Sequence, residues 1–67
     1  MSEDNKRFGY IAVEMGFIAR EQLLEATEIQ ISEELESYKH RYIGQILLDL
    51  NYMTMTQVDK VLEVMWL

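Results

Sequence analysis

An internal repeat constrains the fold of this chain more than any other feature of its sequence. Residues 8–30 align with residues 43–65 at an offset of 35 positions and without a gap. Four of the aligned pairs are identical: Gly9/Gly44, Ile11/Ile46, Gln22/Gln57 and Glu28/Glu63. Repeats of 20–50 residues are typical of a supersecondary unit used more than once. The fold must therefore be one that two copies of a short unit can build.

Each copy has the pattern of a short helix, a turn and a longer helix. Apolar residues of the first copy recur three and four positions apart: Phe8, Ile11, Ala12 and Met15. This spacing predicts one buried face of a helix. The short helices should end at Gly16 and Asn51, which align with each other. Glycine and asparagine best tolerate the left-handed conformation after a helix, so we expect positive φ at both.

The starts of the two longer helices differ. Thr54 and Gln57 fit a capping box at the start of the fourth helix. Ala19 occupies the aligned position in the first copy and has no side-chain oxygen, which removes up to about 1 kcal/mol of capping. The second helix should continue to about Ser37 or Lys39, since no proline interrupts it.

Together these patterns predict an all-α fold of four helices, built as a tandem duplication of a helix–turn–helix unit. The whole chain, 1–67, is expected to form a single domain. The first repeat covers about 7–38 and the second about 42–67. Residues 1–6 are expected to form a flexible N-terminus.

Composition excludes several classes of function. There is no cysteine and only one histidine, so disulfides, thiolate metal sites and histidine clusters are ruled out, and we expect no metal and no cofactor. A net charge of −6 disfavours binding to nucleic acid. No apolar run approaches the roughly 18 residues of a membrane span, and the N-terminus does not resemble a signal peptide. We expect a soluble, cytoplasmic protein of bacterial type.

The candidate catalytic groups are few. His40 lies in a run of charged residues between the second and third helices, where it should be solvated. Glu33 and Glu34 form a carboxylate pair, but such pairs on an exposed helix are mostly solvated as well. A nucleophile also needs an oriented base beside it, and the sequence offers no such arrangement. We therefore predict that the protein is not an enzyme.

Two basic groups precede the short helices, Lys6-Arg7 in one copy and Lys39-His40-Arg41 in the other. A helix N-terminus with an arginine beside it can bind an anion, and the glycines at 9 and 44 would let a phosphate approach the backbone. Alternatively, these glycines allow close helix packing and the basic residues balance the acidic middle of the chain. Gln30 lies on an apolar stripe and needs a partner, either backbone, water or a ligand.

At this point the residues resemble a known family, the N-terminal domains of type II secretion and type IV pilus assembly ATPases. The first copy resembles their motif at these residues: Arg7, Phe8, Gly9, Ala12, Val13, Gly16, Phe17, Ile18, Leu23, Thr27 and Gln30. The second copy resembles the partner motif at these: Ile43, Gly44, Leu47, Leu48, Asn51, Tyr52, Met53, Val58 and Leu62. The resemblance covers residues 7–65, and because the chain has no ATPase domain, it implies a free-standing module.

The resemblance implies two functions. One subgroup, typified by the mannose-sensitive haemagglutinin pilus ATPase, binds cyclic di-GMP through two such motifs, whereas other members dock onto partner proteins. The positions that match the ligand motif, or lie one residue from it, are these: Arg7, Gly9, Gly16, Gln30, Arg41 and Gly44. In the second copy Tyr42, Asn51 and Met65 replace the expected arginine, glycine and glutamine, and Arg41 comes one residue early.

The interpretation that follows is a non-catalytic protein–protein interaction or regulatory module. A cyclic di-GMP sensor is the alternative, and a DNA-binding helix–turn–helix is a distant third because of the acidic charge. The apolar C-terminus suggests an interface at Val64, Trp66 and Leu67, which lie off the stripe of the last helix. Either a partner protein or a homodimer would cover them, unless Trp66 folds back over the first helix.

Overall fold

Four helices make up the described part of the chain, residues 3–66, in the computed structural model. They are α1 (Glu3–Glu14), α2 (Arg20–Ser37), α3 (Ile43–Asp49) and α4 (Met55–Met65). Residues 3–66 contain no strand, so the predicted all-α class is confirmed. The predicted end of the second helix at about Ser37 is confirmed as well. None of these helices is long and apolar enough to cross a lipid bilayer.

The N-terminal boundary differs from the expectation. Residues 3–6, which we expected to be flexible, form the first turn of α1. Two features favour this: the acidic Asp4 near the start of the helix complements the helix dipole, and Asn5 extends the buried stripe by one turn, three residues before Phe8. The Asn5 side chain is only 3% exposed. At the other end α1 stops at Glu14, so that Met15 lies outside the helix and is exposed.

The two short helices end with the same hydrogen bonds. In the first half the backbone N–H groups of residues 15, 16 and 17 donate to the carbonyls of residues 11, 13 and 12. In the second half the groups at 50, 51 and 52 donate to 46, 48 and 47, which is the same set shifted by 35 positions. Gly16 has φ of 78° and Asn51 has φ of 64°. The prediction of a left-handed stop at both sites is confirmed.

The two longer helices start on extended N-cap residues with nearly the same dihedrals, but with different side chains. At Thr54 the capping box is complete, because its hydroxyl accepts from the Gln57 N–H at 3.2 Å and the Gln57 side chain accepts from the Thr54 N–H at 3.0 Å. At Ala19 only the second half exists, in which the Gln22 side chain accepts from the Ala19 N–H at 2.8 Å. The difference predicted at these two helix starts is therefore present.

The helices α1 and α3 form the centre of the packing. Each of them contacts both α2 and α4, and they contact each other, whereas α2 and α4 do not meet within residues 3–66. The core side chains are these: Phe8, Ala12, Ile18, Ala26, Ile43, Ile46, Leu47, Met53, Val58, Val61 and Met65. As a consequence α2 and α4 each keep an outer side that no other helix covers.

Candidate functional site

A groove of about 570 Å³ lies between α1, α3 and α4, and we name it the α4 groove. Its apolar lining includes these residues: Phe8, Leu48, Met55, Val58, Leu62 and Met65. Four of them are spaced three, four and three positions apart along α4, which places them on one face of that helix. A single helix face therefore provides one wall of the groove.

A glycine lets the floor of the groove form. The Phe8 ring packs directly on Gly44, and a Cβ atom added there would lie 2.9 Å from the ring's Cζ atom. Since Phe8 is itself buried, α1 and α3 can approach each other this closely only without a side chain at this position. The interpretation of Gly44 as a packing residue thus has direct geometric support.

The rim of the groove carries Trp66, which follows α4 and is 76% exposed. The alternative prediction, in which this ring folds back over α1 and completes the core, is therefore wrong. Val64 is exposed as well, and Leu67 lies outside the described residues. Large exposed aromatic rings beside an apolar groove are typical of protein-binding surfaces.

The charge of the α4 groove is low and negative. Asp4 is the one charged residue among those that line it, and the lining contains no lysine or arginine. An anionic ligand such as a phosphate would find no cation inside the groove. An apolar ligand that is neutral or positively charged suits this surface better.

Away from the groove, Arg41 joins the two halves of the chain. Its Nε atom donates to Glu33 of α2 at 2.8 Å, and its Nη1 atom donates to Asp49 of α3 at 2.7 Å. Its backbone carbonyl accepts from the Gln30 side-chain amide at 2.7 Å. The partner of Gln30, which is 2% exposed, is therefore backbone.

The hydrogen bond from Arg41 lowers the pKa of Glu33 and raises the pKa of Arg41. A carboxyl whose pKa is lowered by folding stabilises the fold above its unfolded-state pKa. This contribution is lost as the pH falls through the lowered value, so the Glu33–Arg41 pair is intact at neutral pH. A second bond between the halves, from the Tyr52 hydroxyl to Glu25 at 2.6 Å, raises the pKa of Tyr52.

The remaining residues matched to the cyclic di-GMP motif have separate surroundings. Arg7 lies inside α1 rather than before it, and its guanidinium is 3.5 Å from the Met65 carbonyl at the end of α4. Gly9 is buried under Leu23, whose Cδ1 atom would lie 2.7 Å from an added Cβ. Gly16 is exposed in the first turn. Arg7, Gly9 and Gly16 therefore have different neighbours in this structure. Ligand binding by these residues stays a prediction.

His40 is exposed and pairs through Nδ1 with the Glu34 carboxylate. Its ring also meets the Tyr42 ring edge-on, with the ring centroids 5.5 Å apart. These contacts hold the linker between α2 and α3. Across residues 3–66 no group of histidine and acidic residues has the arrangement of a metal site.

The sequence pattern did not indicate that Asn5 caps the start of α3. Asn5 accepts a hydrogen bond from the Ile43 N–H at 2.9 Å, and this buried contact lies at the very start of α3. The N-cap of α3, Tyr42, makes no side-chain capping bond, so Asn5 satisfies a backbone donor that the local sequence leaves open. The stripe through Asn5, Phe8 and Ala12 was the available signal.

Comparisons of the chain with models of protein families, with curated proteins and with solved structures find no match. The function is therefore inferred from the sequence pattern and from the geometry described above.

Proposed function

We propose that this protein is a non-catalytic protein–protein interaction module, of the kind that the secretion and pilus ATPases carry at their N-terminus. The observation that carries the proposal is the α4 groove with exposed Trp66 on its rim. A regulatory or docking role fits a chain in which this groove is largely apolar and Asp4 is the one charged residue that lines it.

The proposed occupant is one apolar face of a helix from a partner protein. At a rise of about 1.5 Å per residue, the 11 residues of α4 give the groove wall a length of about 16 Å, which matches three turns of a docked helix. Such helices insert side chains at positions i, i+3 or i+4 and i+7. Because the lining contains Asp4 and no cation, the inserted face should be neutral or basic.

Sensing of cyclic di-GMP is the alternative suggested by the resemblance, and the geometry supports it less. The side chains of Gln30 and Arg41 already have protein partners, and packed side chains occupy the space above Gly9 and Gly44. An amide-shift titration with cyclic di-GMP separates the two functions. Shifts at residues 7–9 that Arg7→Ala abolishes would displace protein docking as the proposed function, whereas unmoved amides would exclude the alternative.

The docking proposal is tested with a neutral amphipathic helical peptide as probe and with the fluorescence of Trp66, the sole tryptophan. We expect a blue shift on binding, because the indole leaves water. Met55→Glu places a carboxylate in the groove and should weaken binding about tenfold. Met15→Glu is the matched control, since Met15 is exposed outside the groove. The affinity of this variant for the peptide should stay within about twofold of the affinity of the unmodified chain. Equal effects of the two variants, or no binding, would overturn the proposal.

A second copy of the chain is the competing occupant, as the sequence suggested. Sedimentation of the unmodified chain at millimolar concentration distinguishes the two. A single species with the 8.0 kDa mass of one chain supports a separate partner. A dimer that Met55→Glu dissociates would show instead that the groove serves self-association.

A further inference from the structure

The longest helix has apolar side chains on two sides. Its inner side holds the buried residues Ala26 and Gln30. On its outer side Leu24, Ile31 and Leu35 are 53%, 45% and 78% exposed. These three are spaced seven and four positions apart, which places them on one line along the helix, about 200° away from Ala26. We name this line of three residues, with the acidic side chains beside it, the α2 outer face.

The charge around this line is strongly acidic. The helix contains six glutamates and one arginine, Arg20. Glu21 and Glu28 lie within about 60° of the line, with Glu28 between Leu24 and Ile31. Both carboxylates are exposed. Arg20 lies about 40° from the line on its other side, four residues before Leu24, so the border is acidic along the part of the line that follows Arg20. An apolar line with such a border is an unusual surface for solvent alone.

The line also begins at a concavity. A cleft of about 380 Å³ lies between α1 and α2, and one cation, Lys6, is among the residues that line it, so an uncharged side chain suits it best. The residues that line it are these: Asn5, Lys6, Tyr10, Leu23, Leu24 and Thr27. The Tyr10 ring is exposed beside it. One bulky side chain of a bound partner can enter this cleft, while the following turns of the partner contact Ile31 and Leu35.

We propose that the α2 outer face is a docking site for a basic amphipathic helix of a partner protein. Charge complementarity selects this occupant. A second copy would bring Glu21 and Glu28 against a second set of the same carboxylates, and nucleic acid or an anionic lipid surface would be repelled in the same way. A helix with apolar residues at i, i+4 and i+7 and lysines beside them matches both the apolar line and the acidic side chains beside that line.

This site is separate from the α4 groove. The helices α2 and α4 do not contact each other within the described residues, because α1 and α3 lie between them. The groove and the cleft beside Leu24 share Asn5 among the residues that line them, but no residue of α2 lines the groove. The second site therefore does not depend on the proposed function of the first.

The test uses an 18-residue helical peptide with leucines at heptad positions and lysines elsewhere, titrated into the full chain and followed by amide shifts. We expect shifts along residues 20–38 and affinity that falls about tenfold between 50 and 500 mM salt. A peptide with the same leucines and glutamates in place of the lysines should not bind.

Two charge-reversal variants at aligned positions complete the test. Glu28→Lys should weaken binding at least about tenfold, whereas Glu63→Lys in α4, which is also an exposed position, should change it by less than about threefold. Ile31→Ser together with Leu35→Ser should abolish binding, with the helical circular dichroism unchanged. Equal effects of the two reversals, or shifts confined to Met55 and Trp66, would overturn the inference. Either result leaves the neutral-peptide test of the α4 groove unaffected.

Discussion

The two halves of the chain stop their short helices alike but begin and end their long helices differently. Gly16 and Asn51 have the same φ region and the same hydrogen bonds around them. The long helices then start with Ala19 in one half and Thr54 in the other, and only Thr54 caps with its own oxygen. The aligned side chains of Gln30 and Met65 are an amide and a thioether, and both are buried. Met65 is the last residue of α4, whereas α2 continues past Gln30 to Ser37.

What differs between the halves follows from what each one packs against. The helix stops depend on local backbone geometry, and so they can be equal wherever the sequence permits a left-handed residue. Gln30 instead donates to the linker at Arg41, whereas Met65 contributes to the apolar wall of the α4 groove. At this aligned position, one half therefore connects to the linker, and the other lines a groove.

Exchanging the two buried side chains should have the largest effect on stability. Gln30→Met removes the donor to the Arg41 carbonyl and should lower the free energy of unfolding by about 2 kcal/mol. Met65→Gln buries an amide in the apolar wall and should cost about as much. Urea unfolding monitored by circular dichroism measures both. An unchanged midpoint for Gln30→Met would mean that the two halves are interchangeable at this position.

Substitutions at Gly16 test whether the shared left-handed φ explains the similar ends of the two short helices. Its φ of 78° is strained for a β-branched residue, so Gly16→Val should cost about 1–2 kcal/mol, although an added Cβ would meet no other atom within 4 Å. Gly16→Asn copies the residue that the second half uses and should be almost neutral. Thermal unfolding of both variants is the measurement. A fully stable Gly16→Val would remove backbone strain as the reason for glycine here.

Alanine substitutions at the packing glycines Gly44 and Gly9 should change the stability of the protein by different amounts. At Gly44 the added methyl meets the buried Phe8 ring, and overpacking should outweigh the gain in helix propensity by about 1 kcal/mol. At Gly9 the methyl meets only the end of the half-buried Leu23 side chain, which can move aside. A gain in helix propensity of about 1 kcal/mol then offsets the contact. Equal unfolding midpoints for the two alanine variants would contradict this difference.

The smallest expected effects are at the N-caps. Thr54→Ala removes the hydroxyl that accepts from Gln57 and should cost about 1 kcal/mol. Ala19→Thr completes the box that Gln22 already half forms and should stabilise the protein by up to about the same amount. Amide exchange in the first turns of α2 and α4 reports each change locally. If Ala19→Thr gives no gain, the start of α2 must be fixed by packing rather than by capping.

Sequence patterns predicted the features that depend on neighbours along the chain. The stops at Gly16 and Asn51, the capping box at Thr54 and the end of α2 at Ser37 are all of this kind. The partner of Gln30 could not be chosen between backbone, water and ligand, because the linker's path is a tertiary property.

Only part of the candidate site could be predicted from the sequence. Trp66 was expected at an interface or folded over α1, and its exposure had to be seen in the structure. The α4 groove was not predicted, because it depends on the close approach of α1 and α3 at Gly44. The outer line of α2 is present in the sequence, where Leu24, Ile31 and Leu35 extend the helix, but periodicity does not say which of two apolar sides is covered.

The bond between Asn5 and the start of α3 also has a kinetic consequence. These partners are 38 residues apart, and the seven-residue α3 is too short to nucleate alone. We therefore expect α3 to become fully stable only after α1 has closed this long loop, and we expect folding to be one cooperative event rather than the independent folding of two similar units. We expect a fusion tag or a cut that disturbs the first turn of α1 to act in the middle of the chain, by delaying the formation of α3.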